Sequence, residues 1–264
     1  MSEDLVVTMK TLTNRRQRIR WALILISFFL FPVTLYYFSP YLIVVGAAEG
    51  VISGSAILFA GLVLSGLFFG RGFCAWCCPA AGLQEACYGT CTRPTALGWP
   101  RVIKYPIWIV WMGAIIWLFF KVGGPLSVKP FYHTVNGISV DDPDSFMRYL
   151  SIAGGILLMG LFISRRAFCH TLCWMAPFLV IGQKIGGWLR VPQLGLGADP
   201  AECNECRQCT MSCPMDLPVD EMAVAGDMRH IDCINCGRCV DTCKQSAIQF
   251  TWREWTQRTG GRSS

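Results

Sequence analysis

Four stretches of the chain are apolar for long enough to matter, and the polar positions fall between them. Trp21 to Phe38 carries no charge, Tyr41 to Gly70 is broken only by Glu49, Ile103 to Phe120 carries Lys104 near its start, and Tyr149 to Ser164 is uncharged. A helix rises about 1.5 Å per residue, so runs of this kind are read as crossing hydrocarbon. The pattern predicts four transmembrane helices. After Leu189 it changes: Val191 to Pro200 reads as a Pro/Gly linker, and a mostly polar segment follows in which Ile231, Ala247, Ile248 and Phe250 stand out as apolar. The expected organisation is a basic tail at 1–20, a membrane domain at 21–190, a linker at 191–200, a small soluble domain at 201–252 and a tail at 253–264. The expected fold class is an α-helical membrane protein with four transmembrane helices and a small α+β domain.

Composition agrees with a bilayer. Hydrophobic residues make up 53% and charged residues 15%, against roughly 25% charged in ordinary soluble domains. The first run is too long for the core of a cleaved signal peptide, although Arg15 and Arg16 precede it and Gly46, Ala47 and Ala48 follow. The net charge of +6 is distributed by topology. Lys10, Arg15, Arg16, Arg18 and Arg20 precede the first run, Arg71, Arg93, Arg101 and Lys104 lie between the second run and the first turn of the third, and Arg165, Arg166, Lys184 and Arg190 follow the fourth. The positive-inside rule places these segments, both termini and the soluble domain on the cytoplasmic side of a bacterial inner membrane. The loop from Lys121 to Arg148, with Asp141, Asp142 and Asp144, then lies outside. The basic excess calls for membrane lipid rather than nucleic acid, for which no recognition motif is present. Glu49 interrupts an apolar run and is a candidate proton-handling group if it lies at membrane depth.

The fifteen cysteines are spaced as ligands rather than as a disulfide framework. Cys203, Cys206, Cys209 and Cys213 repeat 30 residues later as Cys233, Cys236, Cys239 and Cys243. Each set has the Cys-x2-Cys-x2-Cys-x3-Cys spacing of bacterial two-cluster ferredoxins, in which the fourth cysteine ligates the other cluster. One [4Fe-4S] cluster is therefore expected on Cys203, Cys206, Cys209 and Cys243, and a second on Cys233, Cys236, Cys239 and Cys213. Iron bridged by sulfide takes soft thiolate ligands. A zinc ribbon needs two pairs, whereas each half here supplies a run of four. Pro214 follows the first set, but Lys244 stands at that place in the second.

Two further pairs, Cys74/Cys78 and Cys169/Cys173, follow the second and fourth apolar runs. A spacing of four puts both sulfurs on one helical face, so the two faces are candidates for a third metal or iron–sulfur centre. Zinc and inert buried thiols are the alternatives. Cys77, Cys87 and Cys91 add three thiols nearby. With its apolar runs, its two Cys-x3-Cys motifs (the first followed by Pro79, the second by Trp174) and its paired ferredoxin sets, the chain resembles the NapH-type membrane ferredoxins, related to NosR, MauN and CcoG. The resemblance implies electron transfer between the quinone pool or a membrane partner and a redox partner protein, as a subunit of an oxidoreductase system rather than a stand-alone enzyme. A CcoG-like assembly factor or copper reductase and a redox-sensing membrane ferredoxin are the rival readings. With only His133, His170 and His230, a membrane haem held by two facing histidines is not expected, and no phosphate-binding glycine loop is present.

Overall fold

The computed structural model describes residues 14–86, 99–164 and 166–254. Helix α1 (Arg15–Phe29) is capped by Asn14, whose side chain accepts from the backbone N–H of Arg16 at 3.1 Å. It bends by 58° into the short helical stretch Phe31–Phe38. Pro32 explains the bend, since its ring clashes with the preceding turn and it has no N–H to give the ladder.

The second apolar run is not one helix. It divides into α2 (Pro40–Ala48), strand β1 (Val51–Ser53) and α3 (Gly54–Phe69). Gly50 takes φ +70, and β1 pairs in parallel with β2 (Ser127–Lys129) from the loop after the third run. Beyond α3 come α4 (Gly72–Trp76), α5 (Pro79–Ala86), α6 (Lys104–Val122), α7 (Pro143–Phe162), α8 (Ala167–Thr171) and α9 (Ala176–Trp188). Among the described residues two helices, α6 and α7, are long and apolar enough to cross a membrane, and a third is added if α1 and its bent continuation make one span. The expected fourth span is not confirmed: α3 has 16 residues and is an apolar helix of less than spanning length. The long uncharged run concealed its break because a glycine turn and a three-residue strand are as apolar as a helix. Glu49 is the exposed C-cap of α2, beside that break.

Two helical hairpins, α4–α5 and α8–α9, pack against the longer helices. In the first, Ser27 Oγ donates to Cys77 O at 2.5 Å near the far end of α1, and Glu85 reaches Arg20 nearer its start, so α5 runs antiparallel to α1. In the second, α9 runs alongside α3. Phe178 meets Phe59 edge-on at 4.9 Å, and Gly182 and Gly186 lie against Val63 and Leu67. Small residues let these backbones touch.

The segment read as a linker is instead strand β3 (Pro192–Ala198), paired antiparallel with β4 (Ile248–Glu254). Its glycines suggest a loop, but Gln193 and Leu196 are buried, and the edge is completed by residues more than fifty positions on. Between the strands lie α10 (Gln208–Met211), α11 (Val219–Val224) and α12 (Arg238–Thr242). This domain sits against the helices through specific polar contacts. Asn235 Nδ2 donates to Phe69 O at 3.1 Å and Leu194 O at 3.0 Å, and Trp76 Nε1 donates to Asn235 O at 3.2 Å. Gln17 Nε2 donates to Cys236 O at 3.0 Å and to Asp241 Oδ2 at 2.6 Å.

Candidate metal centres

The duplication in the soluble domain extends from spacing to backbone. Glu205 and Arg207 have φ 54 and 59, and their counterparts 30 residues on, Asn235 and Gly237, have φ 52 and 73. Asp216 and Ser246 form a third such pair, at φ 49 and 56. Left-handed residues among right-handed ones turn successive amides to one side, which suits an anionic occupant. Lys244 in place of proline does not disturb the turn: Ser246 N reaches Cys243 O at 3.4 Å, as Asp216 N reaches Cys213 O at 3.2 Å.

Cys213, Cys233, Cys236 and Cys239 line one apolar cavity with Met215 and Ile234. Burial pushes the Cys213 thiol up to about 12 and the Cys233 thiol up to about 11, and Cys239 is raised by burial and then by Cys236, Cys233 and Cys213. Sulfurs that oppose each other's ionisation without a metal become joint ligands when iron supplies the compensating charge. These four residues fit a thiolate-held cluster. The other set lies outward: Cys203, Cys209 and Cys243 are half-buried and Cys206 is exposed.

Cys74, Cys78, Cys169 and Cys173 are all buried. They interact electrostatically across the two hairpins: burial raises Cys78 most, followed by Cys74, Cys169 and Cys173, and Cys173 reaches about 12 through burial, Cys169 and Cys74. Gln84 Nε2 donates to Cys169 Sγ at 3.3 Å. Among the described residues, no three His, Cys, Asp or Glu side chains close on a single metal-ion position. In an iron–sulfur cube each thiolate meets a different iron, so the ligands stand further apart than around one zinc. Cys77 is exposed and does not share this enclosure; Cys87 and Cys91 lie outside the described residues.

The hairpins are a structural repeat. Cys77 N and Cys78 N reach Phe73 O at 3.0 and 3.1 Å, and Leu172 N and Cys173 N reach Phe168 O at 3.1 and 3.0 Å. The repeated unit is Arg-x-Phe-Cys-x3-Cys, each position recurring 95 residues later, from Arg71 to Arg166 and from Cys78 to Cys173. Trp174, where the first unit has Pro79, donates its indole N–H to Phe38 O at 3.0 Å.

Sequence reasoning missed the charged residues around these thiols. Arg71 Nη1 meets Asp232 Oδ1 at 2.8 Å, and Lys104 Nζ meets the same oxygen at 3.2 Å. Arg20 meets Glu85 at 2.7 Å, and Arg166 binds the same carboxylate. Burial works to raise the Glu85 carboxyl, but Arg20 and Arg166 overcome it and hold it at about 2. Asp232, opposed by burial and favoured by Lys104 and Arg71, is likewise held at about 2. His170 is fully buried with neither ring nitrogen hydrogen-bonded. The repeated arginine before each Phe-Cys was the available signal.

Apolar spanning helices joined to a domain with duplicated four-cysteine loops define a membrane protein of the ferredoxin type. A sequence profile described as a 4Fe-4S dicluster domain, Fer4_9, matches residues 202–248. YccM of Escherichia coli, named for electron transport, is 24% identical over 77% of this chain and 57% of its own length. The Escherichia coli ferredoxin-type protein NapH is 24% identical over 81% of this chain and 74% of its own length, and the Haemophilus influenzae NapH is 31% identical over 37% and 34%. The chain thus spans little more than half the length of YccM. No solved structure matches it. Over most of its length the chain is similar to NapH-type polyferredoxins, and it carries a ferredoxin-type 4Fe-4S domain at residues 202–248.

Proposed function

We propose that the chain carries single electrons between a donor in the membrane, the quinone pool or a membrane partner, and a soluble redox partner protein, as a subunit rather than a stand-alone enzyme. Three ligand sets serve this reading: Cys74/Cys78/Cys169/Cys173 among the helices, Cys233/Cys236/Cys239/Cys213 next, and Cys203/Cys206/Cys209/Cys243 outermost. Iron–sulfur clusters bound there supply one-electron storage at potentials set by nearby charge, hydrogen bonds and exposure.

The observation that carries the reading is the continuity between the first two sets. Arg71 precedes Cys74 by three residues and pairs with Asp232, the residue before Cys233. Gln17 holds the carbonyl of Cys236. The buried cysteines of the soluble domain therefore face the helices, and the exposed Cys206 faces outward, where a soluble partner can approach. In the orientation given by the basic loops, the ferredoxin domain and both termini are cytoplasmic.

Anaerobic iron and sulfide analysis with EPR on the detergent-purified chain tests this. About twelve irons per chain is the expected result and about eight would remove the membrane-face centre. Zinc without sulfide would overturn the relay. Reduction of the protein by a short-chain quinol in liposomes, followed by its visible bleaching, tests the donor.

A further inference from the structure

The two hairpin arginines occupy matching places in two buried triads of opposite composition to what a protein interior tolerates unaided. In one, Glu85 lies between Arg20 and Arg166; in the other, Asp232 lies between Arg71 and Lys104. Each triad sets two cations against one carboxylate, and all six side chains are at most 6% exposed. Among the described residues Arg101 is also buried, and the carboxylates at most 6% exposed in these ion pairs are Glu85, Asp232 and Asp241, the last paired with Arg16. One carboxylate offsets only one of the two cations in each triad, and the positive charge left over in a buried space favours a nearby anion.

The surplus is directed at the four membrane-face thiols. Arg71 lies within electrostatic reach of Cys74, Cys173 and Cys169. Arg166 interacts with Cys169 and, less strongly, with Cys236 of the ferredoxin domain. Arg71 Nε, Arg166 Nε and Arg166 Nη1 are buried donors without an acceptor. Buried donors are ordinarily satisfied, and guanidinium groups with free N–H in a closed space fit sulfide or thiolate sulfur as acceptor. The remaining groups facing this space are Gln84, which bonds Cys169, and His170, which has no partner of its own.

We propose that Arg71 and Arg166 are paired anion clamps for a cluster on Cys74, Cys78, Cys169 and Cys173, and that their charge raises its reduction potential so that it accepts electrons from the membrane side. This rests on the membrane-face centre of the proposed function. Adding an electron makes a thiolate-held cluster more negative, and a fixed cation nearby stabilises that reduced state more than the oxidised one. The two arginines are positioning residues: they bind no iron.

The test is an EPR-monitored redox titration of the full-length protein and of its R71Q, R166Q, R71K and R166K variants, with iron counted on each sample. The expected result is that the glutamine variants keep about twelve irons while one centre becomes at least tenfold harder to reduce at fixed ambient potential, about 59 mV for a one-electron couple. The lysine variants, which keep the charge but not the fork, should recover at least half of that shift and so remain informative if a glutamine variant does not fold. A merely structural arginine would lose iron or stability without moving a potential. Full iron with unshifted potentials in all four variants overturns the clamp alone. About eight irons in the wild type overturns the membrane-face centre and the clamp with it.

Discussion

Arg20 and Glu85 meet through two parallel hydrogen bonds, Nη1 to Oε1 at 2.7 Å and Nη2 to Oε2 at 2.8 Å, with both side chains fully buried. The pair joins the first helix to the returning arm of the first hairpin. Because Arg166 shares the carboxylate, it also ties that hairpin to the second. One acidic side chain thus fixes the relative positions of the elements that carry Cys78 and Cys169.

Replacing Glu85 with Gln leaves two arginines buried without a counter-charge, and breaking a buried pair in this way costs about 3–5 kcal/mol. The same group makes stability pH-dependent. Its ordinary pKa of 4.5 falls to about 2 in the folded chain, so the unfolded chain binds the proton more readily. The stabilisation is complete above the ordinary value and is lost as pH falls from there toward about 2. Thermal unfolding of detergent-solubilised protein between pH 6 and pH 3, read by tryptophan fluorescence, should show a fall in midpoint that is much reduced in E85Q.

The contact between α3 and α9 depends on the absence of side chains. A Cβ at Gly182 would stand 2.1 Å from Val63 O, and one at Gly66 would stand 2.6 Å from Leu179 O. Both obstacles are backbone and cannot rotate away. G182A and G66A should each destabilise by about 1–3 kcal/mol, as overpacking does, with G182A the worse, whereas G61A on the same helix meets nothing within 4 Å and should be close to neutral. Thermal melts of the three variants side by side decide this.

How much of this was legible in the sequence depends on the range of the interaction. The paired cysteine loops are local and duplicated, so their spacing reads directly, and the apolar runs at Ile103–Phe120 and Tyr149–Ser164 mark α6 and α7, the helices long and apolar enough to cross a membrane. The break at Gly50 is paid for by pairing Val51–Ser53 with Ser127–Lys129, a partner more than seventy residues away that no local pattern reveals. Strand β3 reads as a linker for the same reason, since its partner is β4. The triads were hidden differently. Arg71, Lys104 and Arg166 were read as loop charges obeying a topological rule, and only the fold shows that they turn inward upon Glu85 and Asp232.

Asn235 combines two roles at the junction. It holds φ 52, and its amide bridges Phe69 O and Leu194 O. N235G keeps the backbone conformation but removes the bridge, while N235A loses both. The expected order of stability is wild type, then N235G, then N235A, with losses of about 1–3 kcal/mol for two unpaired buried carbonyls. Limited proteolysis near residues 190–200, followed as a rate, should rise in the same order if this amide holds the domain against the helices.

The three proposed ligand sets differ in how far solvent can reach them, and that difference orders their expected chemical vulnerability. Cys206 is exposed and Cys203, Cys209 and Cys243 are half-buried, whereas Cys213, Cys236 and Cys239, and all four membrane-face cysteines, are buried. Reaction with oxygen or ferricyanide needs access to the inorganic core or to a ligand sulfur, so the outermost set should fail first. Brief oxidation is expected to remove about four irons per chain while the remaining EPR signals persist. C206S should start from that depleted state or reach it faster. C77S, which alters an exposed thiol outside all three sets, should keep the full iron content. Equal loss of all signals from the earliest time points would show that solvent access does not separate the three sets, and the outermost assignment of Cys203, Cys206, Cys209 and Cys243 would have to be abandoned.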